Sequence, residues 1–136
     1  ERELEARGDI TWDRTAQWRS STAVGLMHYR DNGPGYFNYR EQKVDQDVEW
    51  KNDLWLLRVG GTASRFDYGV RKVGLGIDPP ARVKDEFTAS LNGERRVGLR
   101  WTLLATYRWE RTRSNDLFAS YTVNEGWLGL RWSWEK

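Results

Sequence analysis

The chain of 136 residues has no cysteine, three prolines, one histidine and one methionine, and each scarcity excludes something. Without cysteine there is no disulfide framework, no thiolate-held zinc and no thiol nucleophile. An oxidising compartment is permitted by this and not indicated. With His28 as the only imidazole, the common hydrolytic triads would all have to run through one residue. No apolar run approaches the roughly 20 residues of a membrane-spanning helix, the longest being Leu54 to Leu57. An excess of one charge is missing too. Lys and Arg number 22 against 20 Asp and Glu, and the two signs are interspersed, so no basic stripe marks a nucleic-acid partner. The opening ERELEARGD is charged and lacks the apolar segment of a signal peptide, so the chain is expected to be processed or cut from something longer.

What is abundant is aromatic and alternating. Nine Trp and six Tyr stand against four Phe, a balance that favours rings with a polar tip, suited to a boundary between oil and water. No stretch sustains a helical period, whereas alternation with period two recurs between turn-forming residues and predicts seven strands. They run Glu5 to Asp13, Trp18 to Arg30, Tyr36 to Lys51, Leu54 to Tyr68, Val83 to Arg95, Gly98 to Arg113 and Tyr121 to Trp134. In the sixth, Leu99, Trp101, Leu103, Ala105, Tyr107 and Trp109 oppose Arg100, Thr102, Thr106, Arg108 and Glu110, with Leu104 breaking the polar face. In the third, Glu41, Lys43, Asp45, Asp47, Glu49 and Lys51 fill six consecutive positions of one face. No packed apolar interior accepts such a face, so it must be wet.

Short links near Arg14 to Gln17, Lys51 to Asp53 and Arg95 to Val97 alternate with longer ones at Asp31 to Gly35, Gly69 to Arg82 and Ser114 to Ala119. Outer-membrane barrels have this asymmetry, with tight periplasmic turns and longer external loops. The fold class expected is therefore all-β, an antiparallel up-and-down transmembrane β-barrel occupying 1–136. Counting back from a periplasmic end leaves Glu1 outside. An odd strand number of this kind points to the C-terminal portion of a larger even-stranded barrel, unless a strand hidden in Gly69 to Arg82 makes eight.

The alternation divides the candidate site residues. Arg19, Glu41, Lys43, Asp45, Asp47, Glu49, Lys51, Arg58, Glu86, Arg100, Arg108, Glu110, Glu125 and Arg131 are expected to line the lumen. They either set the field of an aqueous path or pair across strands and fill a narrow interior. Val24, Leu26, Leu57, Val59, Leu103, Leu128 and Leu130 are expected to face lipid. Trp12, Trp18, Trp50, Trp55, Trp101, Trp109, Trp132 and Trp134 are expected at the interfaces, most of them on the short-turn side, with His28, Tyr107 and Trp109 toward the outer one. Catalytic constellations are not evident. His28 shares the outward face with Val24 and Leu26, which offers a triad no partners. Asp45, Asp47 and Glu49 hint at calcium, but successive acids on one strand face lie about 7 Å apart and Lys43 and Lys51 flank them. Gly74-Leu75-Gly76 lacks the strand and helix of a phosphate-binding loop. No enzyme activity, metal or cofactor is expected.

Lys84-Asp85-Glu86, Tyr107-Arg108-Trp109-Glu110-Arg111 followed by Ser114-Asn115-Asp116, then Tyr121, Asn124 and Gly129-Leu130-Arg131-Trp132-Ser133-Trp134 give the last third a likeness. This stretch resembles the C-terminal end of bacterial outer-membrane β-barrel proteins, the porin-like barrels associated with exopolysaccharide export. Such proteins usually finish on Phe, whereas here Glu135-Lys136 follow Trp134. The resemblance implies a Gram-negative outer membrane, passage or export of polar solute or polysaccharide, and as partners the lipid bilayer, the barrel-assembly machinery and further strands from the same protein or another copy. Two other readings stay open: a small closed barrel with a structural or adhesive role through its external loops, and a soluble β-barrel holding an apolar ligand.

Overall fold

The computed structural model describes the backbone of residues 2–15 and 17–134 and the side chains of residues 17–116 and 118–134. It contains seven strands: β1 (Arg2–Thr15), β2 (Trp18–Arg30), β3 (Tyr39–Lys51), β4 (Trp55–Lys72), β5 (Ala81–Arg96), β6 (Trp101–Ser114) and β7 (Tyr121–Trp132). They form one sheet in chain order through six antiparallel pairings. The sheet is not closed. Six reversals leave β1 and β7 running in the same direction, so these two edges could meet only as a parallel pair, and among the described residues they do not meet.

The register is continuous from β2 to β7. Ala23, Asp45, Thr62, Thr88, Glu110 and Val123 lie opposite one another in one row, and Val24, Val44, Ala63, Phe87, Arg111 and Thr122 form the next. Because directly opposed residues project to the same side and successive residues to opposite sides, the period-two pattern of each strand adds up to two faces spanning the whole sheet. One face is charged, the other largely apolar.

Connections at the two ends are built differently. At the turn between β3 and β4, the Asn52 side chain accepts from the amides of Leu54 (2.9 Å) and Trp55 (2.7 Å), closing a short reversal. At the other end, the Asp31 carboxylate accepts from the amides of Gly33, Gly35 and Phe37, Asn38 Oδ1 accepts from the Asp31 amide, and Gly35 turns through φ +84°. This organised loop is why β3 begins at Tyr39 and not at Tyr36: backbone donors that a strand would offer to a ladder are taken by Asp31. The span 69–82 likewise holds no eighth strand. β4 instead continues past an irregularity between Asp67 and Lys72, Lys72 lies opposite Ala81, and the Val73 amide donates to Pro80 (2.9 Å), so the two strands lengthen into one long hairpin. A 3₁₀ turn at Leu117–Ala119, capped by Asp116, fills the connection before β7. Asn115 ties that connection to β5, accepting from the Val83 amide and donating to Ala81 O.

Candidate functional site

Thirteen of the fourteen expected lumen residues, from Arg19 on β2 to Arg131 on β7, project from the charged face. Arg100 does not. β6 starts at Trp101, three residues after the expected Gly98, which leaves Arg100 in the preceding bend with its guanidinium 5.9 Å from the centre of the Trp134 ring. Val24, Leu26, Leu57, Val59, Leu103, Leu128 and Leu130 share the other face with Trp18, Trp50, Trp101, Trp109 and Trp132. Trp55, opposite Arg95, lies on that face too. The Trp12 side chain falls outside the described residues, and Trp134 lies past the end of β7 with its ring edge-on to Trp132 at 4.9 Å.

On the charged face the side chains hold one another. Arg58 Nε donates to Glu49 Oε2 at 2.7 Å across β3 and β4. Lys43 meets Asp45 (3.1 Å), and Asp45 also accepts from the Thr62 hydroxyl (2.7 Å). Lys84 meets Glu86 (2.7 Å), Arg108 meets Glu110 (2.9 Å), and Tyr121 donates its hydroxyl to the same Glu110 (2.8 Å). Arg131 reaches past β6 to Glu94 on β5 (3.3 Å). Gly60 leaves room for this crowding, since a Cβ there would stand 2.6 Å from Asp47 Oδ1 and 3.0 Å from Ser90 Oγ.

The signs nearly balance. From β2 to β7 this face carries nine cations, Arg19, Lys43, Lys51, Arg58, Arg82, Lys84, Arg96, Arg108 and Arg131, against eight anions, Glu41, Asp45, Asp47, Glu49, Glu86, Glu94, Glu110 and Glu125. Opposite charges within a Debye length of about 8 Å cancel most of each other's field, so the wall is polar and nearly neutral.

Burial is inverted relative to a soluble sheet. The described side chains that are buried, Ala23 (8% exposed), Ser64 (7%) and Thr112 (2%), all project from the charged face. Opposite them, on interior strands, Leu26 is 55% exposed, Val59 53% and Leu91 47%. Crowding on one face and splaying on the other is the accessibility pattern of a sheet that curves toward its charged side. The polar groups that do occur on the outward face are satisfied locally: Thr22 donates to Gln46 Oε1 (2.5 Å) and Gln46 Nε2 donates to Ser20 (2.9 Å).

A second group on the charged face escaped the reading from alternation. Near the long loops Tyr29 stacks on Tyr39 (centroids 5.2 Å apart), and Tyr39 contacts Phe66 (5.6 Å) and Tyr68 (5.7 Å). Lys84 sits 4.3 Å over Phe66 and Arg82 5.4 Å over Tyr68. Trp127 also points to this side, its ring folded back over Gly129. The sequence signal of this group is the polar-face parity of Tyr29, Tyr39 and Phe66, three rings that alternate in step with the charged residues of their strands. His28 lies on the outward face, its Nε2 3.5 Å from Arg30 Nε. Among the described residues no group of three acids or histidines is placed to hold a metal ion, the Asp45, Asp47 and Glu49 row included.

Comparison with protein families, with curated proteins and with solved structures returns no match to this chain.

Proposed function

We propose that this chain is part of a transmembrane β-barrel of a bacterial outer membrane, with the charged face lining an aqueous path for polar solutes or polysaccharide and the apolar face against lipid. The observation that carries the reading is the inverted burial on the interior strands: Leu26, Val44, Val59 and Leu91 are about half exposed while Ser64 and Thr112 are enclosed. In water, exposing a continuous apolar face costs roughly 25 cal/mol per Å2, and large patches of this kind mark surfaces covered by a partner or by lipid. Strands of 12 to 18 residues exceed the ~9–11 that a tilted strand needs to cross hydrocarbon. The likeness of residues 84–134 to porin-like export barrels agrees with this assignment. A soluble barrel with an apolar pocket would enclose the face that is open here and expose the charged one.

Closure follows from topology. An antiparallel barrel that includes this sheet takes an odd number of further strands between β7 and β1. A second copy in the same membrane orientation would instead bring β7 against β1 in parallel. The nearly neutral lining, with the rings of Tyr29, Tyr39, Phe66 and Tyr68 at one mouth, suits uncharged or zwitterionic polar solutes better than ions of one sign.

The test is fractionation and conductance of the complete protein. It should stay with outer membranes through urea and carbonate washes, require detergent for release, and give conductance in planar bilayers with weak preference between cations and anions. Release into the aqueous fraction without detergent would overturn the membrane assignment, and a tight non-conducting insertion would overturn the path.

A further inference from the structure

Along the outward face the two ends differ in kind. Beside the short turns stand Trp18 and Trp50 (centroids 6.2 Å apart), Trp101 and Trp132 (6.2 Å), and Trp55, with two cations among the described residues, Arg95 lying 5.0 Å over the Trp55 ring and Arg100 5.9 Å from the Trp134 ring. Beside the long loops the same face carries arginines instead. Arg40 lies opposite His28 and Asp67, Arg65 opposite Asp85, Asp85 opposite Arg113, and Arg111 opposite Phe87, with Arg30 at the end of β2. Five arginines face two aspartates. Only Arg65 meets a carboxylate among the described residues, Asp67 at 3.4 Å, and both are substantially exposed. Directly below them come Val24, Leu26 and Val44, each about half exposed. A hollow of about 670 Å3 opens among His28, Arg30, Arg40, Asp67 and Val70.

Five arginines against two aspartates leave this rim with an excess of positive charge, which is costly to keep at the border of an apolar band unless anions meet it there. The guanidinium fork binds phosphate oxygens in pairs, and its apolar stem can lie along the apolar band while the head stays in the polar layer. We infer that this outward rim binds phosphate-bearing lipid headgroups of the leaflet on the long-loop side, with Arg30 and Arg40 around the hollow and Arg65, Arg111 and Arg113 extending the contact across β4 to β6. From β2 to β6 the rim spans four strand spacings, about 19 Å, enough for two headgroups side by side. The Trp rim at the other end has only two described cations, both engaged with indole rings, so the protein distinguishes the two leaflets by headgroup chemistry.

The inference rests on the membrane reading, and its test separates the two. The complete protein is inserted into vesicles of phosphatidylcholine alone or with one tenth phosphatidic acid, and the lipids retained after detergent extraction are identified by native mass spectrometry. Phosphatidic acid should be enriched, and R40Q/R65Q/R113Q should lower its retention by about fivefold per arginine removed, on the order of a hundredfold. R95Q, at the Trp rim, should leave retention as in the wild type. R40K/R65K/R113K keeps the charge and removes the fork, and should still lose several-fold, which serves if the glutamine variant fails to fold. Inorganic phosphate at the same concentration should not displace the lipid. Insertion into both vesicles without enrichment, undiminished retention in the lysine variant, or displacement by inorganic phosphate would overturn the site while leaving the membrane reading intact. Failure to insert into either vesicle would overturn both.

Discussion

The two faces of β5, β6 and β7 are separated by no more than the backbone, yet they obey opposite rules. On one, Thr112 is 2% exposed and Glu110 is held by Arg108 and Tyr121; on the other, Leu91 of β5 is 47% exposed and Leu103 of β6 43%. In a water-soluble sheet the ranking would be reversed, because burial of leucine is the main source of stability and enclosure of polar groups is a cost to be offset by hydrogen bonds. Here the charged face meets part of that cost internally, through pairs such as Lys84 with Glu86 and Asp45 with Thr62, while the enclosed Thr112 hydroxyl has no hydrogen-bond partner among the described residues. The apolar face gains little from the chain itself. On the proposed membrane reading, the difference teaches that the sheet's stability depends on what covers the outward face, with lipid in the place of a second layer.

Arginine substitutions test this contrast most strongly. Leu103→Arg or Leu130→Arg should cost on the order of 2 to 4 kcal/mol in folding into lipid vesicles if the residue lies near the bilayer midplane. Thr88→Arg, on the charged face opposite Thr62 and Glu110, should cost under about 1 kcal/mol. Equal costs at the two positions would abolish the distinction between the faces.

Small-to-large changes probe packing. Gly60→Val, whose Cβ would press on Asp47 and Ser90, should destabilise by about 1 to 3 kcal/mol. Gly126→Ala on the outward face meets nothing nearer than 3.7 Å and should be close to neutral in the same assay. A larger loss at Gly126 than at Gly60 would mean that the outward face is the tightly packed one.

The smallest effect belongs to single charges. Glu49→Gln releases Arg58 from its ion pair, and exposed pairs of this kind contribute about 0 to 1 kcal/mol. Its consequence for function should be clearer than for stability: an added uncompensated cation on the wall should shift the reversal potential toward anion preference. An unchanged reversal potential would place Glu49 away from the permeation path.

Most of the sheet was legible because period two is a strong signal when repeated over a dozen residues. β2 runs from Trp18 to Arg30 as the alternation indicated, and the division of Leu103 from Thr102 holds through every strand that pairs with β6. What was not legible lay where side chains compete with the ladder for backbone groups. Asp31 gathers three amides and delays β3, and Asn115 fastens a loop to β5, neither of which leaves a periodic trace. The aromatic group around Tyr39 was missed for a different reason: its parity was readable, but which neighbours it touches depends on a register across three strands.

The central claim is that the apolar face meets hydrocarbon and the charged face meets water. These 136 residues contain no cysteine, so once any cysteine elsewhere in the complete protein is replaced by serine, single cysteines at each position from Trp101 to Glu110 can be labelled without background. In the complete protein in its membrane, positions 102, 104, 106 and 108 should react with a membrane-impermeant maleimide, while 103, 105 and 107 should resist it and instead be quenched, once spin-labelled, by oxygen partitioned into lipid. Alternation in the opposite phase, or equal aqueous labelling of both sets, would contradict the account.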